Sequence, residues 1–137
     1  IAKAAMERLN LSFENTYEFS YQEMLPAASQ GFIGIECISS NKDLIKMLGS
    51  ISSEKDMVLA EAERSFVAQL NGSCLSPIAI YCREESSHVL VSAKALSQNG
   101  DKQIFKEIIS SHASINEDIR SLAKEFISKG ADKLILS

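Results

Sequence analysis

The segment "PIAIYCREESSHVLVSAKALSQNGDKQIFKEIIS", residues 77 to 110, restricts the fold more than any other part of the chain. It holds three strand candidates, Pro77 to Glu84, His88 to Ser97 and Gln103 to Ser110, separated by short polar turns. The turn "SQNGDK" carries Asn99-Gly100, the strongest short hairpin signal a sequence offers, so the second and third strands must run antiparallel. A long helix, "EKDMVLAEAERSFVAQL", precedes the strands, with Ser52 or Ser53 as its N-cap and Gly72 ending it. Its Val58, Ala62, Phe66 and Leu70 fall four apart, a stripe that must face a core. A second helix, "NEDIRSLAKEFISKGA", follows the strands, is capped by Gly130, and leads into the closing "DKLILS". Both apolar stripes need one common core. The pattern therefore predicts an α+β unit, a three-stranded antiparallel sheet with the helices around 54 to 70 and 114 to 129 packed on the same face.

Upstream the pattern is less regular. Residues 2 to 9 read as a helix with Ala4, Ala5 and Leu9 on one side and Lys3 paired with Glu7. "NTYEFSYQE" alternates as a half-buried strand would, and "LPAASQG" is a loop by its Pro26 and Gly31. "FIGIECI" is a short apolar strand written for the interior of a sheet. Its other strands are not evident in this chain, so it should expose apolar surface and an unpaired edge, pairing with another chain or copy or else being mobile. Asn41 is the N-cap expected for "KDLIKMLGSI". The chain starts at Ile1, not at a methionine, and is expected to be a segment of a longer protein.

Composition excludes several classes of partner. Of the 137 residues, 45% are hydrophobic and 23% charged, and the net charge of −4 offers no basic face to a phosphate backbone, so nucleic acid is not expected as a partner. No apolar run approaches the roughly 18 residues that cross a bilayer, so no membrane partner is expected either. The three cysteines, Cys37, Cys74 and Cys82, show no metal-ligand spacing with each other or with His88 and His112. No zinc site or disulfide framework is expected, and a reducing cytoplasmic setting fits. Cys37 and Cys82 lie in strand candidates and read as small core hydrophobes. Cys74 follows the helix break at Gly72, between Ser73 and Ser76, in a loop of the kind on which chemistry is mounted. From the residues alone the alternatives are a reactive cysteine and a non-catalytic α+β interaction or ligand-binding module with a free thiol. A thiol redox protein is disfavoured because no resolving cysteine lies close in sequence.

"LPAASQGFIGIE", then "AEAERSFVAQLNGSCLSPIAIY", "SQNGD" and "LAKEFISKGADKLIL" closely resemble the C-terminal part of the porphobilinogen deaminase (hydroxymethylbilane synthase) family. The likeness runs in register from Arg8 to about Leu136, and its most specific piece is the Ala-Glu-Arg helix joined at a fixed interval to a Gly-x-Cys-x-x-Pro loop. The resemblance implies that Cys74 bears a dipyrromethane cofactor through a thioether. Four porphobilinogen units then add with loss of ammonia, and hydroxymethylbilane, a haem and tetrapyrrole precursor, is released. A thiolate suits this because it attacks soft electrophilic carbon well and its thioether resists hydrolysis. The resemblance also makes Arg8 a carboxylate-contacting cleft arginine, Gly31 a backbone-geometry residue of the cleft loop and Gln30 a hinge hydrogen-bonder. Glu63 and Arg64 become ionic contacts between domains.

The sequence departs from the family in having Ile38 where an arginine is usual, and Ser29 and Ser73 where glycines are common, the two serines being tolerated if φ stays negative. Transferred to this chain, the family's architecture gives residues 1 to 24 as the end of a second α/β domain and 25 to 50 as a crossover strand and helix belonging to a first α/β domain. Residues 53 to 137 are then the C-terminal cofactor-carrying α+β domain. The catalytic aspartate would belong to missing N-terminal domains, so this chain has no catalytic residue of its own and alone should be inactive. The full-length enzyme is expected to be a monomer with porphobilinogen as its substrate.

Overall fold

The computed structural model describes residues 1–137. Five helices and three strands follow one another as α1 (Lys3–Arg8), α2 (Lys42–Gly49), α3 (Glu54–Gln69), β1 (Ile78–Glu84), β2 (Val89–Leu96), β3 (Gln103–Ser110), α4 (Ile115–Ser128) and α5 (Ala131–Leu134). The strands form one antiparallel sheet in the order β1-β2-β3. Ile80 stands opposite Ala93, and Val91 opposite Ile108, so alternate residues of all three strands share a face. On that face Ile78, Ile80, Cys82, Val89, Val91, Ala93 and Ala95 are buried. They pack with Leu59, Ala62, Phe66 and Leu70 of α3 and its C-cap, and with Ile115, Ile119, Leu122, Ala123 and Phe126 of α4. Phe66 and Phe126 meet edge to face at 5.1 Å, the preferred arrangement of two ring quadrupoles. Both helices lie on one face of the sheet, as the common-core argument requires.

The turns and caps predicted from sequence also form. Ser53 accepts a hydrogen bond from the Asp56 N–H, and Asn41 from the Leu44 N–H. Ser97 N–H donates to Lys102 O at 2.9 Å, closing the Asn99-Gly100 turn between β2 and β3. Gly130, at φ +82°, separates α4 from α5.

The first 51 residues differ from expectation in several places. Neither "NTYEFSYQE" nor "FIGIECI" joins a ladder, because the sheet contains only β1, β2 and β3 and offers them no partner strand. Phe32, Ile33, Ile35 and Ile38 are consequently exposed, as the unpaired-edge argument anticipates. Cys37 is half-buried and lies outside the core, contrary to the packing role expected of it. Lys3 pairs with Glu18 at 2.7 Å instead of Glu7. Residues 20 to 30 do reach the C-terminal unit: the Tyr21 ring stacks on Tyr81 at 4.6 Å, and Ala28 packs against the core.

Candidate functional site

The connection from α3 to β1 is built to hold a loop open. Asn71, not Gly72, takes the left-handed conformation that stops α3, with φ +55°. Its N–H bonds Ala68 O at 3.0 Å and the Gly72 N–H bonds Val67 O at 2.9 Å, the paired bonds of a Schellman end. Gly72 serves a different need. A Cβ there would stand 2.5 Å from Ile78 Cδ1, so any side chain would have to displace that methyl where the chain turns under β1. The next residues bond to one another. Ser73 N–H donates to Ser76 Oγ at 2.9 Å, Leu75 N–H to Ser73 Oγ at 3.2 Å, and Ser76 N–H to Ser73 O at 3.0 Å. Cys74 sits inside this self-bonded turn with its side chain exposed, beside an exposed Leu75.

The three thiols are sorted by environment. Cys82 is 4% exposed, and burial, reinforced by the nearby Glu63 charge, pushes its pKa far up, which makes it inert. Cys37 is half-buried and Cys74 alone is exposed. Only Cys74 combines access with an ordered loop, the combination that a covalent attachment point needs. Ser73 keeps φ outside the positive range, but Ser29 does not, at φ +59°. The expectation that Ser29 is tolerated through a negative φ is therefore wrong. The position keeps the left-handed backbone that favours glycine, and the Ser29 hydroxyl donates to Ala60 O at 3.2 Å.

Glu63 lies on the core-facing side of α3 and is 1% exposed. One carboxylate oxygen accepts the Cys82 N–H at 2.7 Å and the other the Ser29 N–H at 2.6 Å. Burial raises its pKa, against which both amide hydrogen bonds act. No cation pairs with it within this chain, where two backbone amides occupy its oxygens, and Arg64 is exposed. A charged residue among Leu59, Ala62 and Phe66 was the signal for this role, because a carboxylate on a buried helix face must find donors. Gly31 follows the bonded turn with φ +94° and open space around it, so backbone conformation, not crowding, selects glycine there. Gln30 is exposed, and its N–H bonds Ala27 O at 3.0 Å. Arg8, in the last turn of α1, is exposed and takes part in no ion pair, and nothing in this chain brings it to Cys74.

Sequence reasoning did not single out the outer face of the sheet. A shallow groove there is lined by Tyr21, Leu25, Tyr81, Arg83, Lys94 and Phe105, among others. Arg83 lies over the Tyr21 ring at 5.7 Å and pairs with Glu85 at 2.8 Å. Burial, with a smaller contribution from Tyr21, raises the Tyr81 hydroxyl to about 12. Alternation of Tyr81 and Arg83 with the buried Ile80 and Cys82 was the available clue. No helix in the chain is long and apolar enough to cross a membrane.

Two family models match the chain. One, the porphobilinogen deaminase C-terminal domain, covers residues 57–128 and includes the Cys74 loop. The other, described as the porphobilinogen deaminase dipyrromethane cofactor binding domain, covers residues 1–46 and includes Arg8 and Gly31. Among similar curated proteins, the porphobilinogen deaminase of Campylobacter hominis is 36% identical over 98% of this chain and 44% of its own length. That of Campylobacter jejuni strain RM1221 is 35% identical with the same coverage. A chloroplastic porphobilinogen deaminase of Pisum sativum is 32% identical over 91% of this chain and 34% of its own length. The chain thus spans less than half the length of these relatives.

Proposed function

This chain belongs to the porphobilinogen deaminase family, and from that premise we propose that it is the C-terminal portion of a hydroxymethylbilane synthase whose dipyrromethane is held by Cys74. The complete enzyme would join four porphobilinogen units with release of ammonia and free the product as hydroxymethylbilane. The observation that carries the reading is the exposure of Cys74, alone among three thiols, on a loop shaped by the hydrogen bonds of Ser73 and Ser76.

The residues present fit such a group. Cys74 would hold it as a thioether, and the attached dipyrromethane would supply the growing end for chain extension. The loop geometry keeps the sulfur outside the core and free of competing hydrogen-bonded neighbours, while Gly72 and Pro77 fix where the loop leaves α3 and enters β1. Ser73 and Ser76 spend their hydrogen bonds on the loop's own amides, so they shape it and do no chemistry. Arg8 and Gly31 are assigned to the cleft of the assembled enzyme, where Arg8 would contact carboxylates of the substrate or the growing chain. Residues 1 to 24, 25 to 50 and 53 to 137 would be contributed to the second, first and third domains. The exposed apolar residues at 32 to 38 support that division, since they suit a sheet completed by other parts of the protein. The unpaired cysteines suit a reducing, cytoplasmic setting.

Intact-mass analysis and peptide mapping of the full-length enzyme test this reading. The peptide containing Cys74 should carry the mass of two linked pyrrole units, with Cys37 and Cys82 unmodified. Cys74→Ser should abolish tetrapyrrole formation while leaving the fold intact, because the site is exposed and the change nearly isosteric. Wild-type turnover by that variant would sink the assignment.

A further inference from the structure

We propose that Glu63 is a positioning residue: its buried carboxylate fastens the turn at Ser29 to the α3–β1 hairpin that carries Cys74, and so sets where the Cys74 loop stands. The proposal rests on the reading of Cys74 given above. The three groups that the carboxylate joins come from distant parts of the sequence. Oε1 takes the N–H of Cys82, an outward-facing donor on the β1 edge that β2 cannot reach, at 2.7 Å. Oε2 takes the N–H of Ser29 at 2.6 Å. The first bond ties α3 to β1 behind the loop, with Cys74 eleven residues after Glu63 and eight before Cys82. The second ties both elements to the turn through which the chain passes from residues 1–24 to residues 32–50.

Other links cross that junction as well. Ser29 Oγ donates to Ala60 O on the same stretch of α3, Ala28 packs on the core, and Tyr21 meets Tyr81 and Arg83 on the outer face of the sheet. Ser29 holds φ +59°, a conformation unfavourable for a serine, and the bonds to Glu63 and Ala60 offset its cost. An isolated buried carboxylate is expensive, and this one has no cation within the chain, only two amide donors. A carboxylate gives each of these two donors an accepting oxygen of its own. A carboxamide offers one accepting oxygen and would turn its nitrogen toward a second N–H.

The test uses the full-length enzyme with Glu63→Gln. Two donors cannot remain at about 2.6–2.7 Å, so one arm of the clamp must open. Amide exchange in residues 27–32 or 78–84 should accelerate about tenfold, the effect of losing one net hydrogen bond, while exchange across α4 stays as in the wild type. Displacement of the Cys74 loop should lower kcat, per folded molecule, by tenfold or more with KM unchanged, because small misplacement of a reacting group is costly. If E63Q does not fold, Glu63→Asp keeps the charge but is one methylene too short to reach both amides, and the same readings apply. Unchanged kcat with unchanged exchange would overturn the proposal. So would faster exchange spread evenly into α4, which would make Glu63 an ordinary core residue. A wild-type enzyme with no pyrrole mass on Cys74 would remove the premise about that cysteine, and the exchange pattern would still decide the clamp.

Discussion

Replacing Gly72 by alanine probes the packing on which the Cys74 loop rests. The new Cβ would stand 2.5 Å from Ile78 Cδ1, 3.1 Å from Val67 Cγ1 and 3.2 Å from the Val67 carbonyl oxygen. Carbon atoms pack best at about 3.5–4.0 Å, so Ile78 must give way by roughly 1 Å. Cδ1 is the tip of its side chain and could rotate in open space, but Ile78 is 7% exposed and walled by the core. Overpacking of this kind costs about 1–3 kcal/mol. Against it, φ at Gly72 is not positive, so alanine meets no backbone strain and gains about 0.4–1 kcal/mol by restricting the unfolded chain. The expected net loss is about 1–2 kcal/mol. Ile78→Val removes the offending methyl and alone costs about 0.5–1.5 kcal/mol. Combined with Gly72→Ala it should recover about 1 kcal/mol relative to the sum of the two single changes. Urea unfolding of this chain, followed by far-ultraviolet circular dichroism and compared at constant slope, measures all four corners of the cycle. A stabilising Gly72→Ala, or strictly additive single changes, would refute the steric argument.

Two further outcomes follow from the thiols and the surface charges. In the unliganded chain, iodoacetamide should label Cys74 first, Cys37 more slowly and Cys82 only on unfolding, as timed peptide mapping would show; early labelling of Cys82 would contradict its burial. Glu125 accepts hydrogen bonds from Lys106 and Lys129, and these, chiefly that from Lys106, lower its pKa from the ordinary carboxylate value. A carboxyl depressed in the folded state contributes stability above its unfolded pKa and loses it as pH falls through the folded value. Urea midpoints of wild type and Glu125→Gln should therefore differ at neutral pH, converge as acid protonates the folded-state carboxylate, and draw together in high salt; a gap independent of pH would refute this.

What could be read in advance was what sequence-local physics decides. The three strands, their hairpin, the caps at Asn41 and Ser53 and the end of α4 at Gly130 depend on residues a few positions apart, and all form. Cys74 was legible as a loop cysteine by the same logic. The misjudged features depend on distant partners. "FIGIECI" has strand composition but no strand beside it, and composition cannot report that. Ser29 adopts a left-handed φ because Glu63 and Ala60 hold it from 34 and 31 positions away. Glu63 itself could be suspected from its place among apolar neighbours, but which two amides it would find follows only from how β1 and the Ser29 turn meet α3. Gly72 was expected to end the helix through its conformational freedom, and the structure instead gives that task to Asn71.

The order β1-β2-β3 has a kinetic consequence. Every strand pairs with its immediate neighbour in the chain, and Ser97 and Lys102 close the second hairpin over only a few residues. Such closures sacrifice little chain entropy and proceed on the order of microseconds. The meeting of α3 with α4, Phe66 against Phe126, spans a long loop instead, as does that of Tyr21 with Tyr81. The sheet can therefore zip up locally and wait for the two helices to clasp over it, with that late step setting the barrier.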